Sequence, residues 1–296
     1  MTINGLHNWA TALLTTMQSR QARRKDVMDN DAATGHIPNE SHRAQMARAL
    51  VAGEFFLVYQ PVLDLSRGSF TGVEALIRWR HDGVVHVPAE FLDELETSGL
   101  MTAVGRWALH TACLQGAEWH MRGYRLALSV NLSTTQLRSA SLVDDVAIAL
   151  GTSHLTPRSL VLEITAYEAL APESTTALHA LTQLGVRVAV DDFDPTSDSL
   201  EAIASRNISL VKLDRHAVAR LGSTSEEEAR LHELLEEARS LGLAVVATGV
   251  EDALQRRILQ AERVVSGQGF LFSAPREAHE IDEYLRGFSI FSGDPL

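Results

Sequence analysis

Short apolar segments alternate with helical patterns along most of the chain. The segment at residues 186–193 is a run of apolar, mostly β-branched residues that ends in two adjacent carboxylates, Asp191 and Asp192. A continuous apolar run of this kind is typical of a strand that is buried on both faces. Similar strand-like runs lie at residues 55–61, 70–79, 126–132, 160–165, 210–213, 244–250 and 264–272.

Helical patterns separate most of these runs. They cover residues 41–52, 106–122, 173–184 and 226–241. The last helix has Ser225 and Glu228 spaced as a capping box at its start and Gly242 at its end. Strands that alternate with such helices indicate βα units around a parallel sheet. About eight strands in roughly 250 residues favour a barrel over an open sheet.

The first two strand-like runs are joined by a short turn that contains Gly68. A connection this short suits an antiparallel hairpin, because parallel strands need a longer crossover. We therefore predict an α/β fold, a modified (β/α)8 TIM-like barrel with an antiparallel first strand. The expected domains are a helical extension and linker over residues 1–40, the barrel over 41–290 and a tail over 291–296.

The first 40 residues differ in pattern from the rest. Apolar residues recur at near-helical spacing at Leu6, Trp9, Leu13 and Met17. A basic cluster follows at Arg20, Arg23, Arg24 and Lys25. We interpret this segment as an amphipathic helix followed by a polar linker. One role for this helix is to signal, to dimerise or to bind a protein partner, and a second is to contact acidic lipid. The third alternative is that the helix packs on the main domain and its basic end is solvated.

Composition and charge exclude several classes of protein. The 296 residues are 45% hydrophobic and carry a formal net charge of −12, which argues against duplex nucleic acid as a partner. The single cysteine, Cys113, cannot support a disulfide framework. No run approaches the roughly 18–20 apolar residues of a membrane span, and the first residues lack a signal-peptide pattern. We expect a cytoplasmic protein.

Polar side chains stand where the apolar runs end. They are Glu74, Asn131, Glu163, Asp191, Asp192, Lys212, Thr248 and Gln268. In a βα barrel the carboxyl ends of the strands converge on one face, where active sites lie. One alone fits a helix cap or an ion pair, but Glu74, Asn131, Glu163 and Asp191 together would form an all-oxygen ligand set for Mg²⁺, Mn²⁺ or Ca²⁺. Two bridged ions at Asp191 and Asp192 would suit phosphodiester cleavage, with Lys212 orienting water or meeting the phosphate.

These residues stand in motifs that resemble those of the EAL domains, a family that hydrolyses or binds the bacterial second messenger cyclic di-GMP. The name motif is Glu74-Ala75-Leu76, followed by Ile77-Arg78-Trp79. The others are Tyr59-Gln60-Pro61, Asn131-Leu132-Ser133, Leu162-Glu163-Ile164-Thr165, Asp191-Asp192-Phe193, Val211-Lys212-Leu213-Asp214-Arg215 and Gln268-Gly269. The resemblance covers about residues 44 to 287.

The resemblance implies a barrel whose carboxyl-end face binds cyclic di-GMP with Mg²⁺ or Mn²⁺, and with Ca²⁺ as an inhibitory substitute. It makes Glu74, Asn131, Glu163 and Asp191 ligands of one metal, and Asp191 and Asp192 ligands of a second. Lys212 would hold the nucleophilic water. The residues implied to line the dinucleotide site are Gln60, Leu76, Arg78, Asp214 and Gln268. Arg78 would contact a phosphate, which suits a guanidinium.

The chain departs from the family at the end of the strand at residues 244–250. The family signature alanine-glutamate-glycine-valine-glutamate stands here as Ala247-Thr248-Gly249-Val250-Glu251. The resemblance implies that the missing glutamate helps to hold the second metal and acts as a base. A neutral hydroxyl is a poor ligand of Mg²⁺ and no base near neutral pH.

Two further departures affect one loop. The family's second glutamate of Glu-x-x-Glu, which anchors the loop after the paired aspartates, is Ala166 here. That loop is glycine-threonine-glycine-tyrosine-serine-serine in active members and runs from Asp194 to Ser199 here, without glycine and with Pro195. Without glycine, positive φ angles are energetically unfavourable in this loop. We therefore expect the first metal site to survive and the second to be damaged.

We expect a degenerate member of the family, a cyclic di-GMP-binding regulator with weak or no phosphodiesterase activity. One alternative is a working Mg²⁺- or Mn²⁺-dependent phosphodiesterase that yields the linear dinucleotide. Three nearby acids are candidates to replace the lost one, Glu168, Asp194 and Glu251. The other alternative is a nucleotide-independent interaction module, although retention of Gln60, Arg78, Lys212 and Asp214 speaks against it. A homodimer is a further expectation.

Overall fold

The computed structural model of this chain describes residues 39–196 and 198–292. The predicted amphipathic helix, its basic cluster and most of the polar linker lie outside these residues, as does the end of the predicted tail. The described residues form two compact units. The smaller unit contains residues 39–56 and 77–104, and the larger contains residues 57–76 and 105–292.

Nine strands in the described ranges form one sheet. They are β1 (Phe55–Asp64), β2 (Phe70–His81), β3 (Val84–His86), β4 (Ala127–Asn131), β5 (Leu160–Thr165), β6 (Arg187–Phe193), β7 (Leu210–Leu213), β8 (Ala244–Ala247) and β9 (Ser266–Gly267). The strand order is β1-β9-β8-β7-β6-β5-β4-β2-β3, and β1 also pairs with β2, which closes an eight-stranded barrel. Along this order, pairing is parallel at each step from β9 to β2, and it is antiparallel between β1 and β9 and between β2 and β3. The predicted barrel with an antiparallel first strand is confirmed.

Helices connect the strands and cover the barrel. They are α1 (Asn39–Ala52), α2 (Leu92–Ser98), α3 (Met101–Met121), α4 (Thr134–Leu137), α5 (Leu142–Ser153), α6 (Ala166–Leu170), α7 (Thr175–Gln183), α8 (Leu200–Ala204), α9 (Arg215–Ala219), α10 (Ser225–Ser240), α11 (Ala253–Ala261) and α12 (Ala278–Ser292). Short 3₁₀ turns lie at Pro88–Glu90, Pro157–Ser159 and Pro172–Ser174. Within the described ranges, no helix combines the length and the apolar character that a membrane span requires.

The central strands are buried on both faces. Leu160, Val161, Leu162 and Ile164 of β5 are all buried, and α7 packs against β6 on the outside. Parallel strands between a barrel interior and an outer layer of helices have no solvent-facing side. This is why the apolar runs show no alternation in the sequence.

The start of α10 differs from the predicted capping box. The N-cap is Thr224, whose hydroxyl accepts a hydrogen bond from the backbone N–H of Glu227 at 3.2 Å. Thr224 has the extended backbone of an N-cap, with φ −148 and ψ 155, and Ser225 already lies in the first turn. The predicted box was therefore wrong by one residue.

The last two strands are shorter than their apolar runs. β8 ends at Ala247 because Gly249 turns the chain with a positive φ of 68°. After β9 the chain runs against this turn, where Leu271 N–H donates to the carbonyl of Val250 at 3.0 Å. A Cβ on Gly269 would lie 2.1 Å from that carbonyl oxygen. The close approach of the two segments ends both strands early.

The smaller unit is built around aromatic side chains. The ring of Trp79 lies 6.1 Å from those of Phe55 and Phe91, measured between centroids. The Trp79 indole N–H donates to Glu54 Oε2 at 3.0 Å, and the His81 ring Nδ1 lies 3.0 Å from the same oxygen. The buried indole therefore has the polar partner that it needs.

Candidate functional site

A buried group of charged side chains lies inside the barrel of the larger unit. Lys212 Nζ lies 2.7 Å from Glu163 Oε2, 2.9 Å from Glu74 Oε2 and 3.1 Å from Asp191 Oδ1. Lys212, Glu163 and Glu74 are only 3%, 1% and 5% exposed. Charges this deeply buried persist only when they are paired. Because one ammonium faces three carboxylates, the group keeps an excess of negative charge.

Four parallel strands bring these side chains together. Glu74 lies in β2, Glu163 in β5, Asp191 in β6 and Lys212 in β7. Asn131, the last residue of β4, pairs with Glu163 in the register of the sheet. The residues are far apart in sequence, and the carboxyl ends of the strands meet at one end of the barrel.

Side-chain amides surround Glu74. Asn131 Nδ2 donates to Glu74 Oε1 at 2.8 Å, and Gln268 Nε2 donates to Glu74 Oε2 at 2.8 Å. The same Gln268 amide donates to Gln60 Oε1 at 2.7 Å, and Gln60 Nε2 donates to the carbonyl of Ser273 at 3.2 Å. The sequence gives no sign of the Ser273 contact, because it is made by the main chain.

The pKa values of the two buried glutamates shift in opposite directions. Burial and the neighbouring Glu74 carboxylate raise the pKa of Glu163 to about 8. Burial also opposes the charge on Glu74, but the ammonium of Lys212 and the donors Gln268 and Asn131 outweigh it and lower the pKa of Glu74. Glu74 therefore carries the more stable negative charge. Burial disfavours the charge of Lys212, but the carboxylates hold its pKa well above its ordinary value.

The carboxylates fit a divalent cation. One oxygen from each of Glu74, Glu163 and Asp191 lies within 4.8 Å of the others. Oxygen donors with excess negative charge are what Mg²⁺ and Mn²⁺ prefer. The acidic cluster of this chain can therefore bind such an ion.

Asp192 lies beside this cluster and is not part of it. Its side chain is exposed, and its backbone has a positive φ of 50°, a conformation that aspartate tolerates better than most residues. Partial desolvation and the nearby carboxylates of Asp191 and Asp214 raise the pKa of Asp192. An anionic neighbourhood of this kind is stabilised by a cation.

Thr248 directly follows β8, at the position where the resemblance implies a glutamate. Its hydroxyl donates to the carbonyl of Leu213 at 2.7 Å. The side chain is half-buried, and its single proton is already used by the main chain. Thr248 therefore supplies no negative charge to the cluster.

The three acids considered as replacements are engaged elsewhere or exposed. Glu168 is buried and accepts from the backbone N–H of Thr165 at 3.0 Å, and it also accepts from the Thr134 hydroxyl. Asp194 accepts from the backbone N–H and the hydroxyl of Thr196, which lower its pKa. Glu251 is exposed. Among the described residues, none of the three joins the carboxylate group.

The loop after β6 forms a polar turn. The backbone N–H of Asp194 donates to Asp198 Oδ2 at 2.9 Å. Ser199 then caps α8 by accepting from the N–H of Ala202 at 3.3 Å. Ala166, which stands where the family has the loop anchor, is a buried residue of α6. It has no polar group to hold this loop.

The remaining predicted site residues have separate positions. Leu76 is half-buried, and Asp214 caps α9 by accepting from the N–H of His216 at 2.7 Å. Arg78 lies in the smaller unit, where Nη1 donates to the carbonyl of Ile77 at 2.7 Å. The residues that the structure joins in one network are Gln60, Glu74, Asn131, Glu163, Asp191, Lys212 and Gln268.

Comparison with known proteins matches residues 43–275 to the EAL domain family. The bifunctional diguanylate cyclase/cyclic di-GMP phosphodiesterase MucR of Pseudomonas aeruginosa is 35% identical over 241 residues, which cover 80% of this chain and 35% of MucR. The signaling protein YkoW of Bacillus subtilis is 31% identical over 245 residues, which cover 81% of this chain and 30% of YkoW. The chain thus spans about a third of the length of these relatives.

Solved structures show the same likeness. The PaMucR phosphodiesterase in complex with c-di-GMP has a TM-score of 0.76 and 33% identity, covering 81% of this chain and 99% of that one. The FimX EAL domain from Pseudomonas aeruginosa bound to c-di-GMP has a TM-score of 0.73 and 25% identity, covering 79% of this chain and 96% of that one.

Proposed function

This chain belongs to the EAL domain family, and from that premise we propose that it binds cyclic di-GMP at the carboxyl end of its barrel and hydrolyses it weakly or not at all. The observation that carries this proposal is the composition of the carboxylate cluster. Glu74, Glu163 and Asp191 form it with Lys212. The β8 position contributes only the hydroxyl of Thr248, which faces a main-chain carbonyl.

The residues retained in the network support binding of cyclic di-GMP. Glu74, Asn131, Glu163 and Asp191 would hold Mg²⁺ or Mn²⁺, and the bound ion would supply neutralisation of the phosphate and activation of water. The linked amides of Gln60 and Gln268 present polar groups beside the cluster. The structures of PaMucR and FimX to which this chain is similar contain c-di-GMP.

The lack of a carboxylate at Thr248, directly after β8, supports weak hydrolysis. A hydroxyl does not accept a proton near neutral pH, and the loss of a positioned general base removes on the order of 10²–10⁴ in rate. A second ion at Asp191 and Asp192 would have one carboxylate fewer to hold it. Lys212 remains in place to orient a water or meet the phosphate, so some turnover is compatible with the proposal.

The decisive experiment compares product formation by the parent and by Thr248→Glu, with Mg²⁺ and with Mn²⁺. We expect a slow parent and a variant that is about 10- to 100-fold faster, because the variant restores the acid. Recovery should be incomplete, since Ala166 and the 194–199 loop are unchanged. Thr182→Glu is the matched control, because its hydroxyl also donates to a main-chain carbonyl, that of His179, and it lies on α7.

Two outcomes would change the proposal. A parent turnover on the order of 1 s⁻¹ or faster would make the chain a working phosphodiesterase. Calorimetric titration with cyclic di-GMP, with Mg²⁺ or with Ca²⁺, tests binding separately from hydrolysis. No binding under either condition would favour the nucleotide-independent interaction module.

A further inference from the structure

The interior of the barrel contains a cavity of about 120 Å³. Its wall extends from Lys212 and Glu163 of the charged cluster to Arg187, the first residue of β6. TIM barrels usually fill this space with branched side chains. Here the wall combines branched side chains such as Val161 and Leu210 with four small residues, Gly72, Ala127, Ser129 and Ser266. The volume suffices for a small ion together with water.

Small residues are built into this wall. A Cβ on Gly72 would lie 2.8 Å from the carbonyl oxygen of Ala127, so β2 and β4 approach each other too closely for a side chain at this position. Gly72 pairs directly with Ala127 in the register of the sheet. The close strand approach and the space inside the barrel therefore have a common cause.

Arg187 brings a positive charge to the cavity, and no acid among the described residues compensates it. It is half-buried, and its Nε is fully buried without a hydrogen-bond partner among the described residues. In the same residues, no carboxylate lies within salt-bridge distance of its guanidinium. Burial lowers the pKa of Arg187, but arginine stays protonated in proteins. A buried guanidinium nitrogen without a partner is costly, and an anion that accepts a hydrogen bond from Arg187 Nε would remove that cost.

The other residues that line the cavity leave the positive charge of Arg187 available to bind an anion. At the other end Glu163 is already bound by Lys212 at 2.7 Å. The hydroxyls of Ser129 and Ser266 line the wall and can donate hydrogen bonds to an anion. The volume excludes a nucleotide, and a single guanidinium balances a single negative charge.

We propose that this cavity is a binding site for one small monovalent anion, of the size of chloride, nitrate or bicarbonate, held by the Arg187 guanidinium with the hydroxyls of Ser129 and Ser266 as further donors. The anion would lie at the Arg187 end of the cavity, whereas Glu163 and Lys212 of the carboxylate cluster line the other end. The proposal does not depend on nucleotide binding. Its effect is to neutralise a charge inside the barrel, so the bound anion should stabilise the fold.

Thermal unfolding of the full chain at fixed ionic strength tests this proposal. The probe is chloride or nitrate, exchanged for gluconate, which is too large to enter. In the parent, the midpoint should rise by about 2–4 °C and saturate with chloride or nitrate concentration. Arg187→Met removes the guanidinium and keeps an unbranched stem, and its apparent affinity should fall at least tenfold. Arg158→Met is the control, because Arg158 is exposed and lies two residues before β5.

Direct observation of the anion covers the case in which Arg187→Met does not fold. A bromide-soaked crystal of the parent should show an anomalous peak against the Arg187 side chain, and Arg187→Lys should keep a weaker, saturable response. Equal midpoints in chloride, nitrate and gluconate, with no bromide peak, would mean that water alone fills the cavity and would overturn the proposal. A saturable response that persists in Arg187→Met would also overturn it, since the anion would then bind elsewhere.

Discussion

At the scale of single residues, Lys212 compensates the charge of the site. It is one of only two lysines in the chain, the other being Lys25, although lysine and arginine together number 26. A compact ammonium contacts three carboxylates at 2.7–3.1 Å. A planar guanidinium is larger and has its donors in a fixed fork. This geometry explains why lysine stands here in a chain that otherwise uses arginine.

Replacing Lys212 with methionine should destabilise the fold by about 3–5 kcal/mol, because it leaves buried carboxylates without a cation. Urea unfolding at neutral pH measures this change, and Mg²⁺ should restore part of the loss if the carboxylates bind it. Lys212→Arg is the control that keeps the charge, and overpacking should cost it about 1–3 kcal/mol. Equal losses in both variants would show that size, rather than charge, determines the effect.

At the scale of elements, contacts between strands position the site, and contacts between helices join the layer outside the barrel. β2 and β4 carry Glu74 and Asn131 into the same network, and Gly72 permits the close approach of these strands. Outside the barrel, α3 and α5 meet through a hydrogen bond between His110 Nε2 and the hydroxyl of Thr152 at 2.9 Å. Each contact depends on the size or the protonation of one side chain, so each can be tested by one substitution.

Gly72→Ala should destabilise the fold by about 1–3 kcal/mol, because the added methyl group collides with the Ala127 carbonyl. Gly151→Ala should have the opposite sign and stabilise by about 0.5–1 kcal/mol, since Gly151 lies within α5 and its added Cβ meets no atom within 4 Å. Denaturant unfolding of both variants checks the prediction. A Gly72→Ala protein as stable as the parent would contradict it.

His110 should make stability depend on pH. Burial lowers the pKa of His110, so the unfolded chain takes up this proton at a higher pH than the folded chain does. The stabilisation is complete above about pH 6.5, the ordinary histidine value, and is lost as the pH falls below it. Urea unfolding between pH 7.5 and pH 5 should show a shallower decline for His110→Gln than for the parent. His279→Gln, at an exposed position, should decline like the parent.

At the scale of the whole molecule, the described residues form two compact units. Arg78 belongs to the smaller unit, whereas Gln60, Asp214 and Gln268 belong to the larger. The chain also spans only about a third of the relatives that it matches, at 35% of MucR and 30% of YkoW.

Arg78→Ala should weaken cyclic di-GMP binding by about 1.5–3 kcal/mol, or roughly 10- to 150-fold in Kd, if the guanidinium makes a charge-assisted contact with a phosphate. Calorimetric titration with Ca²⁺ measures it without hydrolysis. Arg80→Ala is the matched control, because Arg80 lies two residues along β2, is exposed and stacks over the ring of Phe56 at 4.3 Å. An unchanged Kd for Arg78→Ala would remove this residue from the site.

The sequence by itself determined the fold class, the family and the positions of the charged side chains. Buried parallel strands appear as apolar runs, and a polar residue at the end of such a run marks the strand end where a site forms. Glu74, Glu163, Asp191 and Lys212 were identified in this way. The change of a glutamate to Thr248 was also visible from the motif alone. Their roles in binding and catalysis remain predictions.

Only the tertiary structure decided which groups actually meet. Strands β8 and β9 end early because Gly269 packs against Val250, a contact between segments that the apolar pattern of each run does not encode. Glu168 and Asp194 lie near the motifs in sequence, but local hydrogen bonds hold them outside the cluster. The sequence also carried no sign that Arg187 Nε lacks a partner among the described residues. Packing across the barrel, and not local sequence, determines which buried groups find partners.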